Sequence, residues 1–171
     1  MKIKLFGTAN DSIVDGPGIR YAVFTQGCPH NCAGCHNPDS HNPEGGYWED
    51  TENIINSIKK NSLLDGVTLS GGEPFMQARA CAAIAKSVHK LGLNVITYTG
   101  FTFEELLKIG NSDNCFTELL ENTDILVDGK FILSEKSMEL NFKGSANQRL
   151  INVPESLLKG TVILSEYDCK P

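Results

Sequence analysis

The strongest constraint on the fold is an alternation of two hydrophobic patterns along the chain. Continuous apolar runs, Tyr21-Ala22-Val23-Phe24, Val67-Thr68-Leu69, Val95-Ile96-Thr97-Tyr98 and Ile125-Leu126-Val127, suit strands buried on both faces. Between them, Thr51 to Lys60 carries Ile54, Ile55 and Ile58, and the next segment carries Cys81, Ile84, Ala85, Val88 and Leu91 at helical spacing. These patterns predict amphipathic crossover helices. Thr102-Phe103-Glu104-Glu105 announces a third, because a Thr cap and a Glu three residues later satisfy free backbone N–H groups reciprocally; Gly110 is expected to end it. The β-α-β-α-β-α-β order predicts a mainly parallel sheet with right-handed crossovers and ligands at the carboxyl ends of its strands. Leu150 to Val153 and Val162 to Leu164 read as late or edge strands.

Length limits how far such a sheet can curl. A closed eight-stranded α/β barrel needs about 200 residues or more, and this chain has 171. The expected fold is therefore α/β, an incomplete TIM-like barrel of mainly parallel strands with crossover helices. No repeat, low-complexity tract or linker divides it, so residues 1–171 are expected to form a single domain. A hydrophobic content of 40% with 21% charged residues supports a packed core and excludes a disordered chain. With 15 Lys+Arg against 21 Asp+Glu and no basic cluster, the net charge of −6 argues against a nucleic-acid partner. No stretch approaches the ~20 apolar residues that span a bilayer, and Met1 to Leu5 lacks the apolar run of a signal peptide. A cytoplasmic protein with no membrane partner is expected.

In that compartment the six cysteines should be thiols rather than disulfides. Cys28, Cys32 and Cys35 cluster in a segment rich in Gly, Pro and Asn, Gln26 to Pro38, which reads as a loop after the first core strand. Thiolates in a C-x3-C-x2-C triplet are soft ligands that suit zinc or an iron–sulfur cluster. Structural zinc wants four ligands; His30 or His36 would have to fold back on a tight loop to supply the fourth, and no second Cys or His pair follows at zinc-finger spacing. The ligand inventory thus favours a 4Fe-4S cluster held by three thiolates, with one iron open to a substrate or cofactor. Cys81 reads as a small core residue, and Cys115 and Cys169 have no ligand-spaced partners.

Two further segments lie where strands should end. Val67 to Pro74 runs into Gly71-Gly72-Glu73, where absent side chains would let backbone carbonyls approach a ligand and Glu73 would offer an acceptor; Gly-Gly before Pro makes a plain strand-to-helix turn equally well. Asp128-Gly129-Lys130 ends the fourth run, offering an acceptor for hydroxyls and a cation for a carboxylate, or else a turn with a solvated Lys.

The C-x3-C-x2-C triplet resembles the signature of the radical S-adenosylmethionine enzymes, and Gly71-Gly72-Glu73 resembles the motif with which they hold the cofactor's amino group. Asp15 to Arg20, Gln26-Gly27-Cys28, Cys35-His36-Asn37-Pro38 and Tyr98-Thr99-Gly100 are similar to the glycyl-radical-enzyme activases within that family. Gly144 to Arg149 most resembles the branch that activates anaerobic ribonucleoside-triphosphate reductases; Cys35 to Trp48 leaves no room for extra ferredoxin-like clusters, and the short chain favours that branch over the pyruvate formate-lyase activases. The resemblance implies one 4Fe-4S cluster on Cys28, Cys32 and Cys35. It also implies S-adenosyl-L-methionine at Gly34, Cys35, His36, Gly71, Gly72, Glu73, Asp128 and Lys130. It implies reductive cleavage of that cofactor to methionine and a 5′-deoxyadenosyl radical, which takes hydrogen from a glycine of the reductase's large subunit. An external low-potential electron donor would be required. An activase of another glycyl radical enzyme, such as pyruvate formate-lyase, and a non-catalytic zinc or iron–sulfur module are the competing readings.

Overall fold

The computed structural model describes residues 1–168. Seven strands form one sheet: β1 (Lys2–Ser12), β2 (Arg20–Thr25), β3 (Tyr47–Asp50), β4 (Gly66–Gly71), β5 (Asn94–Tyr98), β6 (Ile125–Asp128) and β7 (Arg149–Asn152), in the order β3-β1-β2-β4-β5-β6-β7. The four expected apolar runs are β2, β4, β5 and β6, paired in parallel at the centre. Among the described residues five α-helices accompany them: α1 (Thr51–Lys60), α2 (Ala78–His89), α3 (Phe103–Ile109), α4 (Phe116–Glu121) and α5 (Val153–Lys159). Thr102 and Glu105 make the reciprocal cap at the start of α3, and Gly110 follows its last residue.

The parallel strands advance across the sheet in one direction, so crossovers of one hand bring their helices to the same face. On that face Val23, Val67, Leu69, Val95 and Leu126 pack with Ile54, Ile58, Ile84, Val88, Leu106 and Leu119. A smaller cluster of Ile96, Val127 and Leu150, with Tyr98 and Phe142 against it, includes no helix residue. Beside it lies Arg20, fully buried, whose guanidinium donates to Thr68 Oγ1 at 2.7 Å, Val67 O at 2.7 Å and Pro17 O at 3.2 Å. Burial lowers its pKa to about 10.

Several sequence expectations require correction. The sheet is mixed: β1 and β3 were not anticipated, and both pair antiparallel, as does β7 on β6. β1 escapes a pattern search because only Ile3, Leu5 and Ser12 of its eleven residues are buried; it is held by backbone pairing on two sides. β7 stops at Asn152, whose side chain accepts from Glu155 N–H and caps α5, so Val153 begins a helix. Of Val162 to Leu164, only Leu164 makes a bridge, to Ile151. Among the described residues the sheet ends at β3 and β7 and does not close, and the observed architecture is an open mixed α/β sheet. No helix among them is long and apolar enough to cross a membrane. Cys169 lies outside the described residues.

Candidate functional site

The carboxyl ends of β4 and β5 open onto a cavity of about 720 Å3. The loop after β2 folds over it. Gly27 N–H bonds to Ser40 O at 2.8 Å and Cys28 N–H to His41 O at 3.1 Å, so the loop returns alongside itself. Inside it, Cys35 N–H bonds to Cys32 O at 3.2 Å. Cys28, Cys32 and Cys35 are free thiols, each half-buried, and all three line the cavity. Burial raises the Cys28 thiol above its ordinary value, while the backbone N–H groups of His30 and Asn31 act in the opposite direction.

Gly71 and Gly72 lie on the same wall, and the reason for glycine is proximity to β2. A Cβ on Gly71 would stand 2.5 Å from Phe24 Cα, and one on Gly72 would stand 2.4 Å from Gly27 O. Gly72 N–H bonds to Thr25 O and Glu73 N–H to Gly27 O, each at 2.8 Å, so the end of β4 is zipped to the root of the cysteine loop. Thr99, Gly100 and Gly129 extend the wall across the ends of β5 and β6. His36 reaches it beside Phe131, the ring centroids being 5.4 Å apart.

Four of the expected cofactor residues do not line the cavity. Glu73 is fully buried and bonded to protein donors. Asp128 is 1% exposed and accepts from Phe103 N–H at 2.8 Å and from Arg149 Nε and Nη2, tying β6 to α3 and β7. Arg149 also grips Glu104 with two hydrogen bonds. Lys130 is exposed, and its carbonyl accepts from Asn147. Gly34 turns with φ +74°, where a Cβ would meet Leu133 at 2.8 Å. Conversely, His41 lines the cavity although its surroundings in the sequence gave it no role. Thr99 and Gly100 carried a stronger signal, since they directly follow a strand on the ligand side of the sheet.

The donor set fits an iron–sulfur cluster. Three soft sulfur ligands face one space large enough for a cluster and a small molecule together. Among the described residues no three His, Cys, Asp or Glu side chains converge on one ion as a mononuclear zinc site requires. Thiolates that each take a different iron of a cube have no such need to converge.

Residues 14–151 match the family of 4Fe-4S single cluster domains, a span that includes all three cysteines and the glycine wall. The chain is also 34% identical over 145 residues to the anaerobic ribonucleoside-triphosphate reductase-activating protein of Vibrio cholerae, covering 80% of this chain and 89% of that protein. The chain belongs to the anaerobic ribonucleoside-triphosphate reductase-activating protein family. Other members of the family resemble it at similar levels. The activating protein of Escherichia coli K12 is 31% identical over 147 residues, 80% of this chain and 90% of its own length. That of Enterobacteria phage T4 is 32% identical over 143 residues, 80% and 86% respectively. Membership, together with the cluster-domain match, supports an iron–sulfur cofactor for this chain.

Proposed function

We propose that the chain activates an anaerobic ribonucleoside-triphosphate reductase as a radical S-adenosylmethionine enzyme, with a 4Fe-4S cluster on Cys28, Cys32 and Cys35. The observation that carries this reading is the gathering of those three thiols on one cavity with Gly71, Gly72, Thr99 and Gly100 at the ends of β4 and β5. Held by Cys28, Cys32 and Cys35, a cluster reduced by an external donor would supply the one-electron chemistry that cleaves S-adenosylmethionine to methionine and a 5′-deoxyadenosyl radical, for hydrogen removal from a glycine of the reductase's large subunit.

The chain's own part is to hold and orient. Cys28, Cys32 and Cys35 would hold the cluster with three sulfurs, where a fully protein-ligated cube uses four, and would so leave a place for S-adenosylmethionine. The glycine wall brings backbone polar groups close to that small molecule without side-chain bulk. Asp128, spent on Arg149 and Phe103, steadies the end of β6 behind Gly129 rather than meeting the cofactor. A sheet that stays open suits a protein substrate, because the glycine-bearing segment must reach the cavity from outside. The same reading takes residues 1–171 as one radical S-adenosylmethionine domain working in the cytoplasm. It involves an external low-potential donor and neither nucleic acid nor membrane.

Anaerobic reconstitution with iron and sulfide, followed by reduction and assay for 5′-deoxyadenosine, tests the chemistry. Addition of the reductase from the same organism and a search for the electron-spin signal of a glycyl radical tests the partner. A brown chain that yields neither product would remove the proposal.

A further inference from the structure

Glu73 follows two glycines of the cavity wall, yet it is 0% exposed and does not itself line the space. Its carboxylate accepts from Phe75 N–H at 3.0 Å, from Gly100 N–H at 2.9 Å, from the Thr99 hydroxyl at 3.0 Å to either oxygen, and from His30 Nε2 at 2.7 Å. A carboxylate only accepts and has about four lone-pair positions. These donors occupy them, so a ligand ammonium finds neither access nor a free acceptor. For the same reason the proton of the short bond is carried by His30 Nε2.

Three of the donors belong to segments that follow β4 and β5. His30 alone comes from the cysteine loop, midway between Cys28 and Cys32. Its side chain is 7% exposed, its ring stands edge-on to Phe101 with centroids 4.6 Å apart, and the Gly100 backbone presses against it. The imidazole is therefore fixed by a charge-assisted hydrogen bond and by packing on two sides. The root of this loop is also bonded to the end of β4 through Gly27 O, and His30 is the side chain that ties the stretch between Cys28 and Cys32 to the strand ends.

We propose that Glu73 is a positioning residue: through His30 it fixes the loop bearing Cys28 and Cys32 against the ends of β4 and β5, and it does not itself take a ligand amine. The inference rests on the reading of Cys28, Cys32 and Cys35 as cluster ligands. Glu73 then sets the register between the cluster and the wall along which S-adenosylmethionine lies. Its effect on that cofactor is transmitted wholly by the imidazole.

The test compares wild type, Glu73→Gln, His30→Ala and the double variant. In the reconstituted chains, the change that S-adenosylmethionine makes in the electron-spin spectrum of the reduced cluster gives its affinity. In the iron-free chains, hydrogen exchange reports the order of residues 28–35. Each single variant should weaken the cofactor by about tenfold, the scale of one lost charge-assisted hydrogen bond. The double variant should be no worse than either, because both changes cut the same connection. Exchange in the loop should quicken while α2 stays protected. His30→Gln, whose amide can still donate to Glu73, should recover part of the affinity.

If Glu73→Gln weakens the cofactor and His30→Ala does not, or if the two losses add, Glu73 meets the cofactor directly and the inference is wrong. Should the variants fail to take up iron, their exchange decides: a loop as protected as in wild type overturns the inference, and a loosened loop upholds it. Failure of the wild type to assemble a cluster would instead sink the cluster assignment.

Discussion

Gly100 approaches the His30 ring so closely that a Cβ at this position would stand 2.3 Å from Cδ2. The ring cannot simply retreat, since it is bonded to Glu73 and packed on Phe101. Gly100→Ala is expected to destabilise the iron-free chain by about 1–3 kcal/mol, the usual range for an overpacked contact. It should also lower iron uptake on reconstitution. Thermal unfolding and iron analysis measure the two effects, and a variant with wild-type values for both would show that the contact relaxes freely.

Cysteine replacement should divide sharply by position. Cys28→Ala, Cys32→Ala and Cys35→Ala are each expected to abolish the cluster chromophore and the formation of 5′-deoxyadenosine. Cys81→Ala should retain both, because Cys81 is fully buried in the α2 core and burial pushes its thiol far above the ordinary range. Full turnover by any triplet variant would remove the proposed ligand set.

Asp128 has a structural task that can be weighed without a cofactor. Asp128→Ala strips Arg149 of a buried acceptor and leaves Phe103 N–H unpaired, while Glu104 still holds the guanidinium. A loss of about 2–3 kcal/mol in the urea stability of the iron-free chain is expected. An unchanged midpoint would place the importance of Asp128 with a ligand instead.

Tyr98, like the buried Cys81 thiol, contributes to a fall of stability at alkaline pH. Burial, with Asp15 nearby, raises its phenol above the ordinary value of 10.0. Above that pH the unfolded chain releases the proton and the folded chain keeps it. The unfolded state then binds fewer protons, and stability falls as pH rises. Tyr98→Phe should flatten this alkaline decline in a series of denaturant titrations. At neutral pH it should cost about 1 kcal/mol, since Phe142 O loses its donor at 2.6 Å. An equally steep decline in the variant would assign it to other groups.

Strands β2, β4, β5 and β6, helices α1 to α3 and the cysteine loop were legible because each is written in neighbouring residues, as a run, a period or a cap. The antiparallel strands β1 and β3 were not, since their pairing is made by backbone groups that carry no side-chain pattern. Helix α4 follows Cys115 in a left-handed conformation that itself makes no side-chain cap, and the Asn114 side chain accepts from Phe116 N–H one position before the usual cap, so the start does not carry the ordinary cap pattern.

The spacing of Cys28, Cys32 and Cys35 by itself placed three thiols on one loop as the proposed ligand set, and the hydrophobic alternation determined which strand ends would lie beside that loop. Only the tertiary structure decided which way the neighbouring polar side chains turn. Glu73 and Asp128 both leave strands on the ligand side, but their partners, His30, Gly100 and Arg149, lie 21 to 43 residues away in the chain. A carboxylate turns inward where donors converge on it, and that convergence comes from packing across the sheet rather than from local sequence.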